Sequence, residues 1–242
     1  MTSFHRTWMR TLFDIVDGVV RGALMAAAFL AVLSPSRLES ARLGIPAASV
    51  IHRQADFGAE QASSDARQVA NWVIDSHDNK QAAFVIVDKK AAKLYVFDQA
   101  ARLRGATTVL LGAAHGDDTV AGIGQRPISE VRPEERTTPA GRFLAQRGHN
   151  GRGEDVVWVD YDAGVSMHRV LTTNAAEHRL ARLASTAIPD KRISYGCINV
   201  PVAFFESQLG PVFATHKAMV YVLPEVKPLK HVFKMADARL PS

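Results

Sequence analysis

The sequence predicts a mainly β domain of the α+β class, an antiparallel β-sandwich or barrel-like sheet with a few short helices. Short apolar runs separated by polar turns recur between residues 82 and 224, which is typical of antiparallel sheets. Helical periodicity is confined to three stretches, too few to alternate with the strands in a βαβ array. The 242 residues, 47% hydrophobic and 22% charged, are enough for one well-packed domain with extensions.

The first 36 residues are interpreted as an export signal, or as a membrane anchor if the leader is not cleaved. A basic start is followed by twelve uncharged residues from Gly22 to Leu33. This run has the length of a secretory hydrophobic region and falls short of the about 20 apolar residues that span a bilayer. Any membrane contact of the protein is therefore expected through this anchor alone.

Residues 37–80 are interpreted as a linker followed by a helix. The linker shows no sustained hydrophobic period. Ser64 and Asp65 are candidate caps of a helix that runs to about Ser76, because small polar side chains accept hydrogen bonds from the first free N–H groups.

The domain itself is assigned to residues 81–224, and residues 225–242 to a C-terminal tail. A β-hairpin opens the domain, with strands at Ala83–Val87 and Leu94–Phe97 around a polar turn. The remaining predicted strands are Thr107–Leu111, Val156–Val159, Val165–Val170 and Met219–Leu223, and the remaining predicted helices are Ala175–Ala184 and Val202–Thr215.

Composition excludes several classes of function. The net charge of +5 comes from 29 basic and 24 acidic residues without a long basic run, so nucleic acid is not an expected partner. The chain has one cysteine, Cys197, which excludes an internal disulfide and a zinc site of several thiolates. No metal or organic cofactor is predicted, and the protein is expected to be a monomer.

A long polar loop from Gly112 to Thr137 is predicted to act as a lid or a binding loop. His115-Gly-Asp-Asp within it could suggest a metal site, and Gly122-Ile-Gly124 could suggest a phosphate-binding turn. The residues are too close in sequence to converge on a ligand, and single glycine pairs are common in turns. A hydrated flexible loop is the favoured interpretation of both patterns.

Cys197 gives the strongest chemical signal in the sequence. Gly196 directly before it allows a tight turn, so that the sulfur and the neighbouring amides can face one cavity. The helix predicted after Pro201 places a helix N-terminus nearby, which favours the thiolate. Since an ordinary thiol is mostly protonated at neutral pH, a base must activate it.

Two histidines are candidates for that base. His168 shares one face of its predicted strand with Ser166, opposite an apolar face, as expected for a strand that lines a cleft. His178 is nearer to the cysteine in sequence. On its predicted helix, however, Leu180 and Leu183 mark the buried side and His178 points away from them. His168 is preferred, and His178 remains the alternative.

The segment Ser194-Tyr-Gly-Cys-Ile-Asn199, with His168 upstream, resembles the active-site motif of the L,D-transpeptidase catalytic (YkuD-type) family. That motif is a His followed by Ser/Thr-His-Gly-Cys-hydrophobic-Asn. The turn that begins at Thr138-Pro-Ala-Gly is similar to the family's TP-x-G turn, and the resemblance spans roughly residues 82–224. Tyr195 departs from the pattern because the family usually has a second histidine there. The gap from the preferred base to the motif is also longer than usual, and His178 would satisfy the usual spacing.

The resemblance implies acyl transfer in the periplasm or cell envelope of a bacterium, as part of peptidoglycan biosynthesis and cell shape. Cys197 would attack a peptidoglycan tetrapeptide stem after the L-centre of diaminopimelate and expel D-alanine. An acceptor amine would then take the acyl group in a 3→3 cross-link. His168 would move the protons, the N–H groups of Gly196 and Cys197 would hold the oxyanion, and Ser194 would complete the catalytic loop chiefly as a support.

Four residues are candidates for substrate binding, namely Asn199, Tyr195, Arg169 and Arg192. Asn199 is expected to act mainly as a support of the loop. The two arginines flank the catalytic segments and could bind stem carboxylates, with surface ion pairs as the alternative. Two other functions stay open: a hydrolase on the same site, as an L,D-carboxypeptidase or an endopeptidase, and a non-catalytic envelope scaffold.

Overall fold

The computed structural model of the protein describes residues 53–235, which lie within one compact unit. The predicted export signal or anchor at residues 1–36, most of the linker and the end of the C-terminal tail lie outside the described residues. Within residues 53–235, no helix has the length and apolar character needed to cross a membrane.

Ten strands form the framework of this unit and the helices are short, which confirms the predicted mainly β class. Eight of them form one sheet in the order β3-β2-β1-β10-β5-β6-β7-β9, and β4 pairs with β8 apart from it. Their bounds are Phe84–Asp88 (β1), Lys93–Phe97 (β2), Leu103–Thr108 (β3), Leu111–Gly112 (β4), Gly141–His149 (β5), Asp155–Asp160 (β6), Val165–Arg169 (β7), Arg192–Ser194 (β8), Ile198–Val200 (β9) and Ala218–Val222 (β10).

The sheet is mixed rather than wholly antiparallel. Five of the eight strand pairs are antiparallel, and the parallel ones are β1 with β10, β7 with β9 and β4 with β8. A single bridge joins Leu110, just after β3, to Asn199 in β9. Because β3 and β9 are the two ends of the strand order, this bridge nearly closes the sheet on itself, in agreement with the predicted barrel-like form.

The helices are short and lie around the sheet. Their bounds are Ser64–Ser76 (α1), Arg179–Ala184 (α2), Val202–Phe204 (α3), Gly210–Val212 (α4) and Leu229–Phe233 (α5), with a π-helical turn at Phe205–Leu209 that joins α3 to α4. Single 3-10 turns lie at Ile123–Gln125, Ile128–Glu130, Pro133–Glu135, Ala175–Glu177 and Ile188–Lys191.

Both faces of the central strand β1 are buried, which explains its unbroken apolar sequence. Val85 and Val87 contribute to the cluster enclosed by the sheet, which also holds Phe205 from the π-helical turn. Phe84 and Ile86 face the opposite cluster, where α1 packs. The two clusters hold β1 between them. Lys89, the residue directly after β1, contacts the segment that supports the candidate site.

Two predicted elements differ from the structure. The cap of α1 is Ser63, whose Oγ accepts the N–H of Ala66 at 3.0 Å. The predicted strand Thr107–Leu111 is divided between β3 and β4. It is interrupted because Leu110 turns to pair its backbone with Asn199 in β9.

The predicted helix Ala175–Ala184 is broken at His178, which has a left-handed backbone with φ of +48°. Leu180 is 59% exposed, so the expected buried side of this helix does not exist. The segment contributes no buried residue from either helical part. The segment is a loop on the surface, and no core lies beneath it. Its apolar period therefore does not indicate a buried helix face.

A buried ion cluster fastens the polar loop and the C-terminal segment to the sheet. The ammonium group of Lys89, a fully buried side chain after β1, donates to Asp117 Oδ1 at 2.7 Å and to the Thr138 carbonyl at 2.8 Å. The Asp117 carboxylate also accepts three backbone N–H groups from residues 225–227. Burial acts to raise the pKa of Asp117, but these hydrogen bonds together lower it to about 2. Asp117 is therefore part of the packed structure, and the expectation of a hydrated flexible loop is wrong at this residue.

The Lys89→Ala variant should lose about 3–5 kcal/mol of unfolding free energy, because it leaves Asp117 buried without its cationic partner. Urea denaturation at neutral pH measures this loss. Lys90→Ala is the matched control: its side chain is 54% exposed and pairs with Asp65 at the surface, so it should cost no more than about 1 kcal/mol. Equal losses in the two variants would contradict the role given to the buried cluster.

Candidate active site

Cys197 lies half-buried at the end of a sharp turn between β8 and β9. The preceding residue, Gly196, has φ of +126°, and a Cβ there would lie 2.8 Å from the carbonyl oxygen of Thr137. Both the backbone angle and the close contact require glycine. The predicted reason for a Gly-Cys pair, a tight turn that presents the sulfur, agrees with this geometry.

Hydrogen bonds from two hydroxyl groups hold the turn in shape. The Ser194 hydroxyl donates to the Cys197 carbonyl at 2.6 Å and accepts the Gly196 N–H at 3.1 Å. The Thr138 hydroxyl donates to the Gly196 carbonyl at 2.9 Å. Ser194 therefore supports the turn, as expected. The predicted oxyanion role of the Gly196 N–H does not fit this arrangement, because that group is engaged by Ser194.

His168 and Cys197 meet because β7 and β9 are adjacent parallel strands, with Met167 opposite Ile198 in the register. Nδ1 of His168 lies 2.7 Å from the carbonyl oxygen of Arg169. A carbonyl only accepts, so this nitrogen carries a proton and the other ring nitrogen is left for the thiol. The imidazole and the thiol are close enough that each shifts the pKa of the other.

Ser166 is the second contact of the sulfur. Its hydroxyl oxygen lies 3.7 Å from Cys197 Sγ, and its backbone N–H also donates to the sulfur. The sequence predicts Ser166 beside His168 on a cleft-lining face, but it does not by itself mark this serine as a site residue. Strand alternation alone could have identified it, once His168 was chosen.

The site favours the charged forms of both Cys197 and His168. Burial acts to raise the pKa of the Cys197 thiol, but the neighbouring His168, together with the two donors of Ser166, lowers it overall. Burial likewise acts to lower the pKa of His168, and the interaction with Cys197 raises it above its usual value. The pair is thus biased toward a thiolate beside an imidazolium, the form that a cysteine nucleophile needs.

The rival histidine has no such position. His178 is exposed at the junction between a 3-10 turn and α2. Within the described part of the chain, the contacts of Cys197 come from His168, Ser166 and the carbonyl of Gly164. The geometry therefore favours His168 as the base.

Two of the four predicted substrate-binding residues are buried and engaged within the protein. Asn199 is fully buried and accepts a hydrogen bond from Arg179, which sequence reasoning missed because the two lie on different elements. Arg192 pairs with Glu225 in the buried ion cluster. These placements make Asn199 and Arg192 supports of the site rather than groups that can reach a substrate.

The two remaining candidates lie at the surface of the site. Arg169 donates to Glu206 at 2.6 Å and packs over the Phe205 ring, so the alternative of a surface ion pair is the one observed. It also lines a cavity of about 190 Å³ next to His168. Tyr195 is 40% exposed in the turn that carries Cys197, with the Arg136 guanidinium 4.1 Å from its ring centre. A larger cavity of about 550 Å³ contains none of the predicted site residues.

The described residues contain no group of three or more His, Cys, Asp or Glu side chains that could hold a metal ion. The chemistry available at the site is that of a paired thiol and imidazole next to backbone N–H groups. The N–H of Cys197 makes no hydrogen bond to another described residue and is free to bind an oxyanion.

The sequence matches no protein-family model and no curated protein. The structure is similar to several solved structures, some of which are L,D-transpeptidases, the family that the motif around Cys197 resembles. One is the helical cell shape determining protein Pgp2 from Campylobacter jejuni, with 18% identity over 60% of this chain and 49% of that chain and a TM-score of 0.40. Another is an L,D-transpeptidase from Xylanimonas cellulosilytica, with 16% identity over 58% of this chain and 60% of that chain and a TM-score of 0.36.

A third match is the catalytic domain of the Enterococcus faecium L,D-transpeptidase, with 18% identity over 59% of this chain and 98% of that chain and a TM-score of 0.31. These likenesses are distant and concern the fold. The chain spans about half the length of the Campylobacter protein. What the site does must therefore be argued from its own residues.

The pH dependence of alkylation should report the pairing of Cys197 with His168. In the wild-type protein the rate with iodoacetamide should rise with pH through a midpoint below the about 8.5 of an ordinary thiol. His168→Ala removes the largest influence that lowers the thiol pKa and leaves burial and the Ser166 donors, so the midpoint should move upward. His178→Ala serves as the control and should match the wild type. An unchanged midpoint in His168→Ala would rule out the proposed pairing. Cys197 is the only cysteine of the chain, so the label reports this site alone.

Proposed function

We propose that the protein is a cell-wall L,D-transpeptidase that acts through a cysteine acyl-enzyme on peptidoglycan tetrapeptide stems. The observation that supports this proposal is the pairing of Cys197 with His168 across the adjacent strands β7 and β9, with Ser166 as a further contact of the sulfur. A thiolate held beside an imidazolium attacks a carbonyl carbon readily, and a backbone N–H at the nucleophile can stabilise the resulting oxyanion.

The first half-reaction forms the acyl-enzyme. The Cys197 sulfur attacks the carbonyl at the L-centre of diaminopimelate, and the C–S bond forms while the carbonyl oxygen takes the negative charge. The Cys197 N–H binds this oxyanion. The imidazolium of His168 then gives its proton to the amide nitrogen of D-alanine, the C–N bond breaks, and D-alanine leaves with that proton.

The second half-reaction transfers the acyl group. An amine of a second stem attacks the thioester, and the now neutral His168 accepts its proton. The C–S bond breaks, a new amide bond forms, and the thiolate–imidazolium pair is restored. No other reactant is required, because the energy of the broken peptide bond is kept in the thioester.

The biological setting follows from the same proposal. We propose peptidoglycan stems as the substrates, the periplasm or cell envelope as the location, and residues 81–224 as the catalytic domain. Export rests on the interpretation of residues 1–36, and the protein is proposed to act as a monomer. A contribution to cell shape would follow from cross-linking of the wall.

Hydrolysis at the same site is the second candidate. It is favoured by two departures from the family motif: Tyr195 stands at the place of a histidine, and the surface excursion between β7 and β8 lengthens the gap before the motif. Either change can alter the access of an acceptor amine to the thioester. With water as the acceptor, the same acyl-enzyme would give an L,D-carboxypeptidase or an endopeptidase.

The test is incubation of the full chain with tetrapeptide muropeptides, followed by mass spectrometry of the products. Cys197→Ala should abolish release of D-alanine, and His168→Ala should reduce it by about 10²- to 10⁴-fold, the usual contribution of a general acid–base. His178→Ala, the matched histidine control, should keep its activity. Cross-linked dimers support transfer, whereas tripeptides without dimers support hydrolysis.

Unimpaired release by Cys197→Ala, or no release by the wild-type protein, would overturn the proposed function. Absence of release by the wild-type protein would favour the non-catalytic envelope scaffold, whereas release by Cys197→Ala would mean that another group is the nucleophile. Loss of activity in His178→Ala with retention in His168→Ala would instead mean that the base is assigned to the wrong histidine.

A further inference from the structure

Arg136 lies at the candidate active site and was not identified from the sequence. It follows the 3-10 turn at Pro133–Glu135, and its guanidinium carbon lies 4.1 Å from the centre of the Tyr195 ring. Tyr195 is separated from the nucleophile Cys197 by one residue. The cation is therefore stacked on a side chain of the same turn that carries the sulfur.

The position of Arg136 relative to the nucleophile is set by contacts of its neighbours in sequence. The Thr137 carbonyl packs directly against Gly196, and the Thr138 hydroxyl donates to the Gly196 carbonyl. The Arg136 carbonyl accepts the N–H of Ala114. The strand-like segment that carries the guanidinium is thus fastened to the same turn that carries the sulfur.

Arg136 differs from the other arginines of the site in its lack of an acidic partner. Arg169 pairs with Glu206, and Arg192 pairs with Glu225. Arg136 pairs with no carboxylate of residues 53–235. Its Nε and one Nη donate to the Val131 carbonyl, and these two bonds orient the guanidinium plane. The other Nη has no hydrogen-bond partner within residues 53–235.

We propose that Arg136, stacked on Tyr195, binds a carboxylate of the donor stem. This inference rests on the proposed function. A guanidinium has a planar arrangement of donors that suits a carboxylate, and stacking on an aromatic ring holds that plane in place. The role of Tyr195 is then to support the Arg136 guanidinium with its ring, and it does not replace the histidine of the family motif.

Two carboxylates of a tetrapeptide stem fit this chemistry. One is the terminal carboxylate of D-alanine, and the other is the free carboxylate at the D-centre of diaminopimelate. Both lie a few bonds from the carbonyl that Cys197 attacks. A charge-assisted contact to either would orient that carbonyl toward the sulfur, so its loss should appear mainly in KM.

The experiment compares the wild-type protein with Arg136→Gln on three stems: the unmodified tetrapeptide, the stem amidated at D-alanine, and the stem amidated at the D-centre. On the unmodified stem, Arg136→Gln should lower kcat/KM by about 10- to 100-fold, the size expected for a hydrogen bond to a charged group. On the stem that lacks the bound carboxylate, the two proteins should become nearly equal. The stem on which this happens identifies the carboxylate.

Two further variants control for charge and folding. Arg104→Gln removes an exposed arginine of β3 that makes no ion pair with a described residue, and it should behave as the wild type. Arg136→Lys retains the charge without the planar fork and should recover only part of the loss. The pH midpoint of Cys197 alkylation should be the same in Arg136→Gln as in the wild type, because the thiol pair is untouched.

Binding measurements keep this inference separate from the proposed catalysis. Calorimetry of stem binding to Cys197→Ala, with and without Arg136→Gln, should show weaker binding in the double variant even if no turnover is seen. An equal loss of kcat/KM on all three stems, or equal affinity of the two Cys197→Ala proteins for the unmodified stem, would overturn the role of Arg136.

Discussion

The parallel pairing of β7 with β9 is the constraint on which the candidate site depends. In this register β7, which carries Ser166 and His168, lies beside β9, which begins directly after Cys197. The segment between them contributes little to the core. Its buried Lys191 donates to the carbonyls of residues 182, 183 and 185, so the excursion is held by its own polar contacts. Its length can therefore differ from the family pattern without moving the base away from the nucleophile, because the sheet and not the sequence spacing determines the distance.

Polar contacts extend the same constraint from the sheet to the turn of the nucleophile. Lys89 holds the Thr138 carbonyl, and the Thr138 hydroxyl holds the Gly196 carbonyl. Burying an ammonium group costs several kcal/mol in desolvation, and an apolar side chain in the same place would avoid that cost. What the ion cluster provides is a fixed position for the backbone at Thr138, which in turn holds the turn at Gly196. The same cluster removes Arg192 from the surface, which explains why a cation so close to the motif is not available to a substrate.

Much of the fold could be predicted from local patterns, whereas the partners of polar side chains could not. The hairpin of β1 and β2 and the alternation on β7 follow from hydrophobic periods that a single strand already contains. Arg192 and Glu225 are far apart in sequence, as are Asn199 and Arg179, so no local pattern connects them. The helix around His178 was misjudged for a related reason. An apolar period predicts a buried face only where a core lies beneath it.

The two opposing influences on the pKa of His168 suit the two halves of the proposed reaction. Before attack, the interactions with Cys197 and with the Arg169 carbonyl outweigh burial and raise the pKa of the imidazole, which favours its protonated form. When the thioester forms, the sulfur loses its charge, and burial is left as the main influence on the ring. The pKa of His168 should then fall, which favours delivery of the proton to the departing D-alanine nitrogen. The neutral imidazole that results is the form needed to accept a proton from the next nucleophile. One half-buried histidine can thus act first as an acid and then as a base, because the charge of its partner changes during the reaction.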